Sequence, residues 1–183
     1  LVPPLLLNGL RWSGALLLLL LLGRAALATA ERRAAIRARW GYFSVLGLLG
    51  VGAYNALQYL ALTTSTPINV TLIASSMPLW MLTVGALFFR ERPQPRQLLG
   101  AALSLAGVAT VMGRGDPAAL AQVHFVQGDL FMLAAAASWA GYSWLLVRPP
   151  ASMQGEARPA IVASDGSRRP WNWSEFLLVQ ALF

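Results

Sequence analysis

The chain of 183 residues contains no cysteine, no lysine and only one histidine. Without cysteine it cannot form a disulfide, a thiolate nucleophile or a thiolate-ligated metal site. Charged residues of both signs make up only 11% of the chain, against about 25% in a typical soluble domain. Apolar residues make up 57%. These shortages argue against a soluble domain, and we expect no metal and no other cofactor.

Long apolar runs account for most of the chain. A helix needs about 20 apolar residues to cross a hydrocarbon core of about 30 Å. A sixth run begins near Trp173, after five runs of about this length near residues 5–29, 41–62, 67–89, 97–113 and 126–147. The pattern predicts an all-α fold, a polytopic membrane helical bundle.

The basic residues, all arginine, occupy every second gap between the runs. The gap after the second run has no charge, and the gap after the fourth pairs Arg114 with Asp116. The other gaps hold Arg32, Arg33, Arg37 and Arg39, then Arg90, Arg92 and Arg96, then Arg148, Arg158, Arg168 and Arg169. Cytoplasmic loops of membrane proteins carry such an excess of arginine. The loops near 30–40, 90–96 and 148–172 are therefore predicted to be cytoplasmic.

This orientation places residues 1–4 on the outer face, so we expect a further span before them. The net charge of +7 lies beside the ends of spans and suits a lipid bilayer rather than nucleic acid. An alternative for the first run is a signal peptide that is cleaved after Ala28-Thr29-Ala30. Arg11 and Pro3-Pro4 fit poorly at the start of such a signal.

Several segments in the middle of the chain resemble one family. They are the turn Tyr59-Leu-Ala-Leu-Thr-Thr-Ser-Thr-Pro67, the mid-run Pro78, Phe89-Arg-Glu91-Arg-Pro93, and Gln97-Leu-Leu-Gly100 continuing to Gly107. Their order and spacing resemble the EamA family of the drug/metabolite transporter superfamily. The resemblance implies part of a ten-helix transporter built from two inverted five-helix repeats. Residues 1–113 would then be a first repeat without its first helix, 114–127 an outer-face loop, and 128–183 the start of the second repeat, with a flexible cytoplasmic linker near 149–172.

The resemblance also implies a function. Inverted repeats bind solute near the midplane and alternate access to it. We therefore expect a secondary transporter of the bacterial inner membrane, not an enzyme, that exports small metabolites or amphipathic compounds. A coupling proton and a second copy of the chain are further candidate partners. An integral-membrane enzyme and a non-transporting membrane scaffold remain the alternatives.

Arg11 is the first candidate for the solute path, because an ionisable group within a span is expensive to insert. It faces either that path or, by snorkelling, the outer headgroups. Three polar and aromatic stripes add further candidates, for which ordinary interhelical hydrogen bonding is the alternative. The stripes are Asn55, Gln58 and Tyr59; Asn69, Ser76 and Thr83, with Trp80; and Ser138, Trp139 and Tyr142.

Two further residues lie in and after the third run. Pro78 has no N–H to donate to the carbonyl of Ala74, so it predicts a kink in the helix. Glu91 follows the run between two arginines, which makes it either a cytoplasmic-gate candidate or a solvated loop acid.

Overall fold

The computed structural model describes residues 3–112, 125–162 and 166–183. Most of these residues are helical. A π-helical segment, Gly47–Ala53, joins two of the helices into one continuous stretch. The α-helices are α1 (Pro4–Leu22), α2 (Ala30–Arg37), α3 (Trp40–Leu46), α4 (Tyr54–Thr64), α5 (Pro67–Ser75), α6 (Met77–Phe88), α7 (Pro95–Met112), α8 (Gln127–Val147) and α9 (Trp173–Ala181). The predicted outer loop, 114–127, lies almost wholly outside the described residues.

Among the described residues, three helical stretches are long and apolar enough to cross a membrane, namely Pro4–Leu22, Trp40–Thr64 and Gln127–Val147. The pair α5 and α6 makes a fourth if it is counted as one bent span. The segment α7 is also helical, but its first turn contains Arg96 and Gln97 and it is not among these stretches. The described residues therefore show a helical membrane protein with three or four such stretches, where the sequence predicted five.

The third apolar run is broken rather than continuous. Helix α5 begins after Thr66, whose side chain accepts the Asn69 N–H, and ends at Ser75. Helix α6 starts at an angle of 42° to it. Pro78 is the second residue of α6. The N–H groups of a helix's first turn have no intrahelical acceptor, so a proline at this position removes no helical hydrogen bond. The proline thus lies at a helix start, directly after the bend.

Contacts divide the chain into two compact units, the first comprising Leu1–Gly52 and Leu145–Phe183 and the second Ala53–Trp144. The core of the first unit surrounds Phe43, whose ring stacks on Trp171 with centroids 6.0 Å apart. Its other buried members are Ala26, Ile36, Met153, Ile161 and Val179.

The described residues of the polar connection 149–172 belong to the first unit. It forms 3-10 turns at Ala151–Met153 and Gly155–Ala157, then two antiparallel strands, β1 (Ala160–Val162) and β2 (Arg168–Pro170). Its composition predicted a flexible linker. The described part forms these turns and strands, and Met153, Ile161 and Trp171, three of its few large apolar side chains, are buried in the core around Phe43. The flexible cytoplasmic linker itself stays a prediction.

The second unit has a core of its own. Buried side chains from α4, α5 and α8 form it, namely Ala61, Val70, Ile73, Met132 and Ala135. Gly128 allows α8 to approach α4 closely, since an added Cβ would lie 2.8 Å from Ser65 Cβ. Small residues permit such contacts where lipid offers no hydrophobic drive for association.

Candidate functional site

Helix α1 carries a group of polar side chains within an otherwise leucine-rich span. Arg11 lies seven residues after Pro4, about 10 Å along the axis at 1.5 Å per residue. Its side chain is exposed, and the guanidinium carbon lies 5.7 Å from the centroid of the Trp12 ring. This contact is a cation–π arrangement. It does not distinguish between the two predicted roles of Arg11, in the solute path or as an anchor in the headgroups, so both stay predictions.

Two atoms beside Arg11 are buried without a hydrogen-bond partner in the part of the chain that the structure describes. They are Asn8 Oδ1, an acceptor, and Trp12 Nε1, a donor. The two residues are four apart and share a helix face. A buried polar group without a partner costs about 1–3 kcal/mol. The α1 face formed by Asn8 and Trp12 therefore offers a donor and an acceptor one turn apart.

An aromatic cluster joins α4 to α8. The ring centroids of Tyr54 and Trp139 are 4.7 Å apart, and those of Trp139 and Tyr142 are 5.2 Å apart. The predicted stripe of α8 therefore contacts α4, which carries another predicted stripe. The contact is made by Tyr54, which was not among the predicted site residues. Gln58 is half-buried, and the remaining stripe members, Asn55, Tyr59 and Ser138, each take part in a further noncovalent interaction.

The stripe predicted along the third run does not follow a straight helix. Spacing by seven residues keeps side chains on one face only when the helix is unbroken, and the chain bends at Ser76. The hydroxyl of Ser76 donates to the carbonyl of Ile73 at 2.6 Å. Asn69 and Trp80 are half-buried, and Thr83 is exposed. A shared role for these four residues stays a prediction.

Two apolar cavities also lie in the second unit. One, of about 470 Å³, is lined by Pro67, Ile68, Thr71, Leu72, Gly107, Val108 and Val111. The other, of about 560 Å³, is lined by Met77, Pro78, Met81, Leu82, Gln97, Gly100 and Ala101. Of the predicted site residues only Pro78 lines either of these two cavities.

Helix α6 ends in an unusual backbone conformation next to Glu91. The N–H groups of Phe89 and Glu91 both donate to the carbonyl of Gly85, and Arg90 between them has a φ of 56°. This arrangement matches a helix end closed by a left-handed residue, a position that glycine usually occupies. Glu91 is half-buried and already takes part in another interaction. The structure leaves its gate role a prediction.

Two acids in the first turns of helices are buried. Asp129, in the first turn of α8, accepts a hydrogen bond from the Ser65 hydroxyl and one from the Val126 N–H. Glu175, in the first turn of α9, accepts two hydrogen bonds from Arg169 at 2.6 and 2.9 Å. The hydrogen bond from Arg169 to Glu175 raises the pKa of the guanidinium. Burial raises the pKa of the Glu175 carboxyl, but the hydrogen bonds from Arg169 and the Asn172 N–H outweigh it, so the pKa of Glu175 is lowered.

Sequence reasoning missed Asn8, Trp12, Tyr54 and Trp144. Trp144 donates from Nε1 to the carbonyl of Met81 at 2.7 Å and stacks on Phe89 at 5.2 Å. Asn8 and Trp12 had a signal, because two polar-capable residues flank Arg11 at helical spacing in a leucine-rich run. Tyr54 also had a signal, because it lies four residues before Gln58 on the same helix face. Trp144 had none, since its partners Met81 and Phe89 are distant in sequence.

Apolar helices of spanning length with polar groups inside them define the class as a helical membrane protein. Residues 1–113 match the EamA-like transporter family, so the chain belongs to that family.

Three curated relatives support the same class. One is an uncharacterised transporter, YyaM, of Bacillus subtilis, 27% identical over 56% of this chain and 34% of its own. Another, an uncharacterised transporter of Archaeoglobus fulgidus, is 30% identical over 58% of this chain and 36% of its own. An aromatic amino acid exporter, YddG, of Ancylobacter novellus is 29% identical over 78% of this chain and 48% of its own. The chain thus spans a third to a half of their lengths. No solved structure is significantly similar to it.

Proposed function

We propose that the chain forms part of a secondary transporter that moves small amphipathic metabolites by alternating access. The observation that carries the proposal is the α1 face, where Asn8 Oδ1 and Trp12 Nε1 are buried without partners among the described residues. In a bilayer, nearly every buried polar group finds a protein or water partner. A donor and an acceptor one turn apart suit a solute that carries both kinds of group.

The aromatic cluster Tyr54, Trp139 and Tyr142 supports the solute class. Aromatic rings at 4.7 and 5.2 Å form a surface that stacks on apolar or aromatic groups. One relative is named an aromatic amino acid exporter. We propose a solute with an aromatic or apolar body and a polar group, exported across a bacterial inner membrane by a ten-helix inverted-repeat protein. Proton coupling and a homodimer belong to the same proposal.

Transport by the full-length protein in liposomes tests the proposal. Labelled phenylalanine is followed with a panel of other small amphipathic solutes. Trp12→Phe keeps an aromatic ring on α1 but removes the indole N–H. Because one hydrogen bond contributes about 1 kcal/mol, we expect a KM about fivefold higher with unchanged protein yield.

Trp40→Phe is the matched control, because Trp40 is 65% exposed and its loss should leave KM unchanged. Equal KM values for the Trp12 variant and the unaltered protein would contradict the role of α1. If no solute in the panel crosses the liposome membrane, the transport proposal itself is wrong, and a scaffold becomes the better description.

A further inference from the structure

A second polar site lies in the first unit, apart from the α1 face. It is a cavity of about 490 Å³ between α2 and the connection 149–172. Among the lining residues that the structure describes, four side chains are cationic and two are anionic. We call it the basic cavity, and its charged residues are Arg32, Arg39, Arg158, Arg168, Glu31 and Glu156.

Two of the arginines are held in place by backbone carbonyls and keep free donors. An arginine has five N–H donors. Arg32 uses two of them, on the carbonyls of Ala25 and Val162, at 2.9 and 3.0 Å. Arg39 uses three, on Ser152, Ala35 and Ala157. Within the described residues neither guanidinium pairs with a carboxylate. Their positions are therefore fixed, and neither forms an ion pair among the described residues, although the charge of Arg32 acts electrostatically on the Glu175 carboxylate.

The other charged residues leave a net positive cavity. Arg158 and Arg168 are exposed, and among the described residues the Arg168 side chain donates only to the backbone carbonyl of Glu156, at 3.1 Å. Arg158 makes no side-chain hydrogen bond with the described part of the chain. The four cationic and two anionic side chains of the described lining give it a formal charge of +2. Glu31 lies in the first turn of α2, where the helix dipole already favours a carboxylate.

The wall of the cavity adds a buried donor. Trp171 lines it and is 6% exposed, and its Nε1 has no acceptor among the residues that the structure describes. The lining thus combines cationic side chains with an indole whose N–H has no acceptor among the described residues. This observation is independent of the arginines, because the indole is neutral.

We propose that the basic cavity binds a phosphate group, carried either by an anionic lipid headgroup or by a free phosphate compound. Guanidinium forks match phosphate oxygens in geometry, and a phosphomonoester carries about −1.5 to −2 charges at neutral pH. The formal charge of the lining is equal and opposite to the upper value. The site lies on segments that the arginine pattern predicts to be cytoplasmic, where both phosphate sources occur.

Binding to the purified full-length protein tests the proposal and does not depend on transport. Inorganic phosphate is titrated in nonionic detergent at constant ionic strength, with thermal unfolding as the readout. Retention of phosphatidylglycerol over phosphatidylcholine is measured by native mass spectrometry. Arg158→Gln removes one cavity charge and breaks no side-chain hydrogen bond within the described residues. We expect about tenfold weaker binding, which is the effect of one charge-assisted hydrogen bond.

Arg37→Gln is the matched control, since Arg37 is exposed on α2 and does not line the cavity. Saturable binding of inorganic phosphate would identify a free-phosphate site. Selective retention of phosphatidylglycerol without a phosphate effect would identify a headgroup site. Both outcomes support the proposal if only Arg158→Gln weakens binding. Equal losses in the two variants, or no saturable binding of either ligand, would overturn it.

Discussion

Arg39 anchors the connection 149–172 to the helical part of the first unit, and Arg39→Met tests this role. Methionine keeps an apolar stem but removes every donor. Two of the lost hydrogen bonds hold the carbonyls of Ser152 and Ala157, at 2.8 and 2.7 Å. A hydrogen bond to a charged group contributes about 1.5–3 kcal/mol, and both of these are exposed, so we take about 1 kcal/mol each. Losing both, about 2 kcal/mol, raises the local opening constant about thirtyfold.

Hydrogen exchange measured by mass spectrometry on the peptide containing residues 151–158 gives this constant directly. The reporting amides are those of Met153, Gln154 and Ala157, which close the two 3-10 turns at 2.8, 3.2 and 3.1 Å. Arg37→Met is the control, because Arg37 is exposed and forms no hydrogen bond through its side chain within the described residues. Exchange that is unchanged in the Arg39 variant, or equally faster in both, would refute the reasoning.

Two further substitutions test close packing and backbone strain in the second unit, with thermal unfolding in detergent as the measurement. Gly85→Ala would place a Cβ 2.7 Å from Trp144 Cε2, so we expect a loss of about 1–3 kcal/mol. Gly100→Ala meets nothing within 4 Å and should cause no such loss; equal midpoints for both variants would count against the packing argument. Arg90→Gly should stabilise by about 1 kcal/mol, because a left-handed conformation costs an L-residue about 1–2 kcal/mol. Arg92→Gly, at a position without positive φ, should give no gain, and a similar gain from both would show that charge rather than strain is responsible.

The spans could be predicted from sequence because they depend on local composition. Apolar runs of about 20 residues form helices in lipid whatever their neighbours. The residues at which the helices begin and end are harder to predict from sequence. The first predicted run extended to residue 29, but α1 ends at Leu22. Gly23 follows, and a Cβ there would lie 2.8 Å from the carbonyl oxygen of Ser174. That contact joins residues 151 positions apart, so no local pattern reports it.

The connection 149–172 is a second segment whose structure depends on contacts with residues distant in sequence. Proline, glycine and serine favour a flexible linker, and its apolar residues are too widely spaced to form a pattern. Met153, Ile161 and Trp171 are nevertheless buried, because Phe43 and its neighbours provide a surface for them. Arg39 then fixes the turns between them. Phe43 and Arg39 lie over 100 residues earlier in the chain than their contacts at Ser152 and Met153, so the composition of the connection could not predict this burial.

The candidate site separates what spacing can predict from what it cannot. Spacing of three or four residues correctly places Trp139 beside Tyr142, because that contact lies within one helix. The seven-residue spacing of Asn69, Ser76 and Thr83 assumes a straight helix that the bend before Pro78 removes. Whether a buried polar atom lacks a hydrogen-bond partner is harder still to predict from sequence, because it depends on every neighbour in the fold. Nothing in the sequence distinguishes Trp12 and Trp171 from Trp144. Of these three indoles, only that of Trp144 has an acceptor in the described structure. A ligand site built on unsatisfied donors is therefore a property of the packing, and substitutions that remove one donor while keeping the ring are the experiments that isolate it.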